Sequence, residues 1–171
     1  FMINENQSDQ PIGILGGTFN PIHHGHLRLA LELYERLELA EVRLIPSARP
    51  PHRPPPSVNS QYRLEMVQAA IKNVEGLSID DRELQRKGPS YMFDTLSSLR
   101  ADYPQRSLCL ILGMDTFLGL PYWHKWEHLI TTAHFLVVRR LGAELSNVSI
   151  MQDFWKAHQA TCPENLRKQT A

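Results

Sequence analysis

The run Ile12-Gly13-Ile14-Leu15-Gly16-Gly17-Thr18-Phe19-Asn20-Pro21-Ile22-His23-His24-Gly25-His26 contains the change of period on which the fold turns. Ile12 to Leu15 is a short apolar stretch ending on a glycine pair, the pattern of a buried strand meeting a turn. After His26, Leu27, Ala30, Leu31, Tyr34 and Leu37 recur at helical spacing. The run therefore reads as one strand, one glycine turn and one helix. In a doubly wound sheet, the junction of such a strand and helix is where ligands bind.

The same alternation continues outward. Val42-Arg43-Leu44-Ile45 reads as a second strand ending at Pro46, and Pro50, Pro51, Pro54, Pro55 and Pro56 forbid regular structure until about Val58. Leu64, Val67, Ile71 and Val74 share one face of a second helix, with Asn59 or Ser60 available to cap it. Leu77-Ser78-Ile79 is a weak third strand, and Ser90 through Arg100 a third helix with Leu96 and Leu99 toward the core. Leu108 to Leu112 is a fourth strand stopping at Gly113. A short helix from about Trp123 to Ile130 leads to a fifth strand, Phe135-Leu136-Val137-Val138. The expected fold class is α/β, a doubly wound, Rossmann-like parallel sheet of about five strands with helices on both faces. Phe1 to Gln10 reads as a flexible polar extension, residues 11–140 as the domain, and residues 141–171 as a segment in which the helical period fades.

A chain of 171 residues fits one domain, able to bury about 70% of the surface exposed when unfolded. Eighteen Lys and Arg balance eighteen Asp and Glu. No electrostatic excess is left for a nonspecific hold on nucleic acid or anionic membrane. With a mean hydropathy of -0.32 and no long apolar run, a transmembrane span is not expected. Cys109 lies in an apolar run and Cys162 in a polar tail, so both read as free thiols suited to a reducing compartment. No secretory signal heads the sequence, which makes the cytoplasm the expected location.

Phosphate binding, if present, must then be local, and the opening run supplies the means. Gly16 and Gly17 carry no Cβ to hold a phosphate off the backbone, and a helix starting near Gly25 turns its unpaired N–H groups and positive dipole end to the same space. His23 and His26 add imidazoles that can donate to phosphate oxygens as charge shifts in a transition state. Other readings are a glycine turn with surface histidines, or a metal site built on three His in four residues. No Cys or carboxylate within the run completes a zinc set, so no protein metal site is expected. The glycine spacing also differs from G-x-G-x-x-G.

Residues 16–26 resemble the H-x-G-H nucleotidyltransferase superfamily, and more narrowly bacterial nicotinate-nucleotide adenylyltransferase. The resemblance implies adenylyl transfer. The phosphate of nicotinate mononucleotide attacks the α-phosphorus of ATP, giving deamido-NAD and pyrophosphate with Mg²⁺ accompanying ATP. It assigns His23, His26 and Arg53 to catalysis. Gly16, Gly17, Thr18, His26, Gly113, Asp115 and Arg140 are assigned to ATP, and Phe19, His52, Ser90, Tyr91, Met92 and Trp123 to the mononucleotide.

Four further segments carry the narrower resemblance. Pro46 to Arg53 is similar to the family's Pro-Pro-His-Lys/Arg loop, a proline-stiffened phosphate clamp, although a Pro-rich surface loop would look alike. Pro89 to Leu96 is similar to Ser-Tyr-Thr-x-Asp-Thr-Leu, with Met92 in place of Thr, and also reads simply as the start of a core helix. Gly113-Met114-Asp115 ends a strand where a carboxylate can meet ribose hydroxyls. Leu120 to Trp126 is similar to Leu-Pro-x-Trp-x-x-Trp/Tyr, in which Trp123 would stack on the pyridine ring and Trp126 would pack in the core.

Arg139-Arg140 matches an Arg-Pro pair only in part, since Leu141 stands for Pro, and surface ion pairing is an equal reading. Asn20 replaces the usual Asp. Nothing from Leu141 to Ala171 matches the family's closing strand and Ser/Thr-rich run, so the resemblance implies a shortened chain, with Phe154 and Trp155 able to cover apolar surface. Two alternatives stay open. One is a mononucleotide-binding but catalytically impaired fragment. The other is a related transferase acting on nicotinamide mononucleotide or phosphopantetheine, the latter opposed by Trp123 and Ser90-Tyr91.

Overall fold

The computed structural model describes residues 10–51, 54–139, 149–160 and 166. Five parallel strands form one sheet in the order β3-β2-β1-β4-β5. They are β1 (Ile12–Gly17), β2 (Glu41–Pro46), β3 (Leu77–Ile79), β4 (Leu108–Gly113) and β5 (His134–Val138). The helices are α1 (His24–Arg36), α2 (Ser60–Ile71), α3 (Arg82–Gln85), α4 (Met92–Asp102), α5 (Met114–Leu118) and α6 (Ser149–His158), with single 3-10 turns at Leu120–Tyr122 and Trp126–His128.

Alternate strand residues feed two cores. On one face Leu15, Val42, Leu44 and Ile111 pack with Ala30 of α1 and Val67 of α2. On the other, Ile12, Ile14, Ile45, Leu108 and Leu110 pack with Leu96 and Leu99 of α4, Phe117 of α5 and Met151 of α6. Each fully buried Ile or Leu contributes about 1.5–3 kcal/mol. The fold is thus the α/β, doubly wound, Rossmann-like arrangement with helices on both faces.

Three local differences from the sequence reading have physical causes. The helix expected from about Trp123 to Ile130 is reduced to a single 3-10 turn at Trp126–His128, because Lys125 adopts a left-handed φ of 53° that an α-helix does not contain. The turn α3, too short to show a period, buries Glu83. In the C-terminal part, Ser149–His158 forms a helix, and its Phe154 and Trp155 do cover the core that contains Phe117.

The ladder across the sheet is uneven. β1 pairs β2 through to Gly17 and Pro46, and β4 pairs β5 through to Gly113 and Val138. Between β1 and β4 the pairing covers only Ile12–Leu108, Gly13–Cys109 and Ile14–Leu110. Beyond Ile14 these two strands have no mutual register, and strand order reverses at this join, where a doubly wound sheet has its crevice at the strands' carboxyl ends. This is the binding position of an open α/β sheet.

Candidate active site

At the crevice, β1 ends and Gly16 to Ile22 lead into α1. The N-cap of that helix is His23 rather than a Ser or Asp. Its Nδ1 accepts the Gly25 N–H at 3.2 Å, while His26 Nδ1 accepts the His23 N–H at 3.3 Å, a reciprocal capping box made of two imidazoles. With both Nδ1 atoms accepting, each ring carries its proton on Nε2, the edge away from the main-chain contact. The rings stack at 3.7 Å between centroids. No acidic side chain lies in the first turn of α1, so nothing there cancels the positive end of the helix dipole.

The glycines have a second reason to be glycine. A Cβ on Gly17 would lie 2.8 Å from the ring of Phe19, and one on Gly16 would lie 2.6 Å from Cε of Met92. Phe19 takes a left-handed φ of 45° and is 2% exposed. Its ring meets His26 edge-on at 5.2 Å. Phe19 is therefore a brace for His26, with its ring enclosed by protein. Met92, from a separate segment, lies over the glycine turn.

The loop after β2 is held from two sides. Ser47 N–H donates to the Gly17 carbonyl at 2.9 Å. Ser90 Oγ accepts both the Ala48 N–H (3.0 Å) and the Arg49 N–H (3.1 Å), and its own N–H donates to the Arg49 carbonyl at 2.9 Å. The Ser90 hydroxyl also bonds to Glu83, a buried carboxylate that takes the Thr95 hydroxyl at 2.6 Å. Burial pushes the Glu83 carboxyl above its ordinary range, against the pull of these two hydroxyls and Arg86. Ser90 thus works as a fastener of the loop after β2.

Tyr91 packs against His124, the rings tilted by 30° with centroids 4.5 Å apart, which joins the start of α4 to the segment carrying Trp123. Trp123 and Trp126 both pack partly buried against the α4 and α5 core, with Trp126 at 5.4 Å from Phe154. Asp115 is exposed in the first turn of α5, directly after Gly113, on the β4 side of the crevice. Arg139 is exposed at the end of β5. His52, Arg53 and Arg140 lie outside the described residues. Thr18 is engaged through its carbonyl, which accepts from Arg63.

Arg63, Glu83 and Thr95 are the residues that sequence reasoning missed. Arg63 had a visible signal: it stands on the stripe of Val67 and Ile71 at four-residue spacing, where an apolar side chain is expected.

Fold and turn together define a class. The chain matches the cytidylyltransferase-like family over residues 14–164. It is 51% identical over 157 residues to a probable nicotinate-nucleotide adenylyltransferase of Pseudomonas syringae pv. tomato, covering 91% of this chain and 71% of that protein. With a protein of the same name from Methylococcus capsulatus it shares 47% over 159 residues, covering 92% and 76%. This chain belongs to the nicotinate-nucleotide adenylyltransferase family.

Solved structures agree at the level of fold. Plasmodium falciparum nicotinic acid mononucleotide adenylyltransferase complexed with NaAD superposes with a TM-score of 0.70 at 18% identity, over 84% of this chain and 70% of that one. A putative nicotinate-nucleotide adenylyltransferase of Vibrio parahaemolyticus gives 0.64 at 19% identity, over 94% and 97%.

Proposed function

We propose that this chain transfers the adenylyl group of ATP to nicotinate mononucleotide. A phosphate oxygen of the mononucleotide forms a bond to the α-phosphorus, the bond from that phosphorus to the bridging oxygen breaks, and pyrophosphate leaves with deamido-NAD as the second product. The single observation that carries this reading is the stacked His23–His26 pair at the uncancelled positive end of α1, each ring held by a main-chain N–H with its proton on Nε2. Two such N–H donors suit an oxygen that gains negative charge as the α-phosphorus passes through its transition state.

The remaining assignments follow the crevice. Gly16, Gly17, Thr18, Gly113 and Asp115 flank it on the β1 and β4 sides and take ATP. Tyr91, Met92 and Trp123 form the mononucleotide side, with Phe19 and Ser90 holding its walls. His52, Arg53 and Arg140 belong to the same proposal as cationic partners of the substrate phosphates. Residues 11–140 make up the transferase unit.

Mg²⁺ enters as the counter-ion of ATP. Among the described residues no three His, Cys, Asp or Glu side chains converge as a metal site, and the donors at the turn are N–H groups suited to an anion rather than to a hard cation. No step here runs through the ion. A cytoplasmic location is part of the same reading, supported by the free thiol of Cys109. No helix among the described residues is long and apolar enough to cross a membrane.

Turnover with nicotinate mononucleotide, ATP and Mg²⁺, followed by pyrophosphate release, tests the reading. His26→Ala should lower kcat about 100-fold or more with each substrate Kd within about threefold of wild type. Tight mononucleotide binding with no turnover by the wild-type chain would favour the binding-only alternative. Competition between the acid and amide mononucleotides decides the acceptor.

A further inference from the structure

Arg63 on α2 is 1% exposed, the most enclosed charged side chain among the described residues. Its guanidinium is spent on main-chain carbonyls: Nε donates to Val58 at 3.2 Å, Nη2 to Ser47 at 2.7 Å, and Nη1 to Thr18. Among the described residues its hydrogen-bond partners are carbonyls alone, with no carboxylate. An enclosed cation without a counter-charge is costly, so its placement calls for a reason beyond stability.

The three acceptors lie on two segments far apart in sequence. Thr18 belongs to the glycine turn after β1. Ser47 opens the proline-rich loop after β2, and Val58 closes it just before α2. A single planar guanidinium therefore gathers both ends of that loop and fixes them to the turn. Two other bonds run the same way, from Ser47 N–H to the Gly17 carbonyl at 2.9 Å and from Asn20 Nδ2 to Ser57 Oγ at 3.3 Å. A lysine ammonium has no forked plane with which to reach three divergent carbonyls.

We propose that Arg63 is a positioning residue for adenylyl transfer, holding the glycine turn and the two described ends of the loop after β2, at Ser47 and Val58, at the separation that aligns two substrates bound on either side. This rests on the reading given under Proposed function. Its effect should therefore fall on alignment of the reacting atoms, where an error of about 1 Å can cost on the order of 100-fold, more than on the binding of either substrate.

The test combines Arg63→Ala and Arg63→Lys with turnover, thermal unfolding and amide exchange. Arg63→Ala should lower kcat about tenfold or more, with KM for the mononucleotide within about threefold. Guanidinium chloride at tens of millimolar should restore kcat several-fold, and sodium chloride at equal ionic strength should not. Exchange at Ser47 to Arg49 and at Ser57 and Val58 should quicken about tenfold and slow again with guanidinium. Arg63→Lys, which keeps the charge and the stem, should lower the unfolding midpoint less than alanine, remain folded at the assay temperature and still lose kcat about tenfold, so it carries the test if the alanine variant does not fold.

A lysine or folded alanine variant with kcat within twofold of wild type overturns the proposal. So does a loss of activity that only follows loss of folded protein and ignores guanidinium. Wild-type protein inactive on both substrates would instead sink the adenylyl-transfer reading, and the exchange measurement would still decide whether Arg63 sets these two segments.

Discussion

His23 and His26 depend on a neighbour with no side chain of its own. A Cβ on Gly25 would lie 3.1 Å from both Cε1 and Nδ1 of His23, close enough that the ring must give way. Replacing a helical glycine by alanine ordinarily favours the helix by about 0.5–1 kcal/mol. Gly25→Ala should therefore leave the unfolding midpoint unchanged or raised while kcat falls about tenfold, because the displaced ring loses its bond to the residue 25 N–H. Thermal denaturation and turnover on one preparation check both halves, and an unchanged kcat would show that the stack is not needed.

The site was legible at this scale wherever residue type alone implies chemistry, as in paired imidazoles after two glycines. What a single chain of letters could not convey was which side chain lies over which. Gly17 reads as room for a ligand, yet the ring of Phe19 is what would collide with a Cβ there. Ser90 reads as a substrate contact, yet its hydroxyl is occupied by two N–H donors and Glu83. Both contacts join residues distant in sequence or lie at a left-handed backbone position that no period announces.

Among the elements, the strands were legible because continuous apolar runs mark burial on both faces, and α1, α2 and α4 because their stripes are long enough to count. The turn α3 was not, having four residues. Its job is partly electrostatic. Asp80, just ahead of it, is nearly buried at 9% exposure and receives Arg82 Nε at 2.8 Å and Arg82 N–H at 3.1 Å, with Arg43 Nη1 at 3.4 Å. Burial pushes the Asp80 carboxyl up, but the bonds from Arg82 and the charges of Arg82 and Arg43 outweigh it and leave the group below its ordinary range.

A carboxylate depressed in the folded state adds stability above its unfolded pKa and loses it as pH falls through the folded value. Asp80→Asn should therefore cost about 2–3 kcal/mol near pH 7, and the gap from wild type should close as pH drops below the ordinary carboxylate range. Denaturant unfolding at several pH values measures it. Glu83, whose carboxyl is raised, runs the other way: its linkage favours the folded state at low pH and fades as pH rises through its folded value.

For the molecule as a whole, the strand order and the crevice decide more than any one element. Cys109 lies in the short ladder between β1 and β4, opposite Gly13 and 0% exposed, where burial pushes its thiol up to about 12. At pH 8 roughly one thiol in ten thousand would be ionised in the closed protein, so a disulfide reagent reports openings of that ladder. In a Cys162→Ser background, Cys109 should react slowly, and saturating substrates should slow it at least about threefold further. Equal rates with and without substrates would place the ligands away from the crevice.

The uneven sheet has one more implication. β3, β2 and β1 form one panel and β4 and β5 another, and between them the amides bridge only from Ile12 to Ile14. On the function proposed above, a pair of nucleotides lodged past Ile14 would span both panels and supply, through its own oxygens and rings, cohesion that the backbone leaves out. Cargo and scaffold would then cease to be separate categories: a loaded enzyme would be mechanically a wider sheet than an empty one.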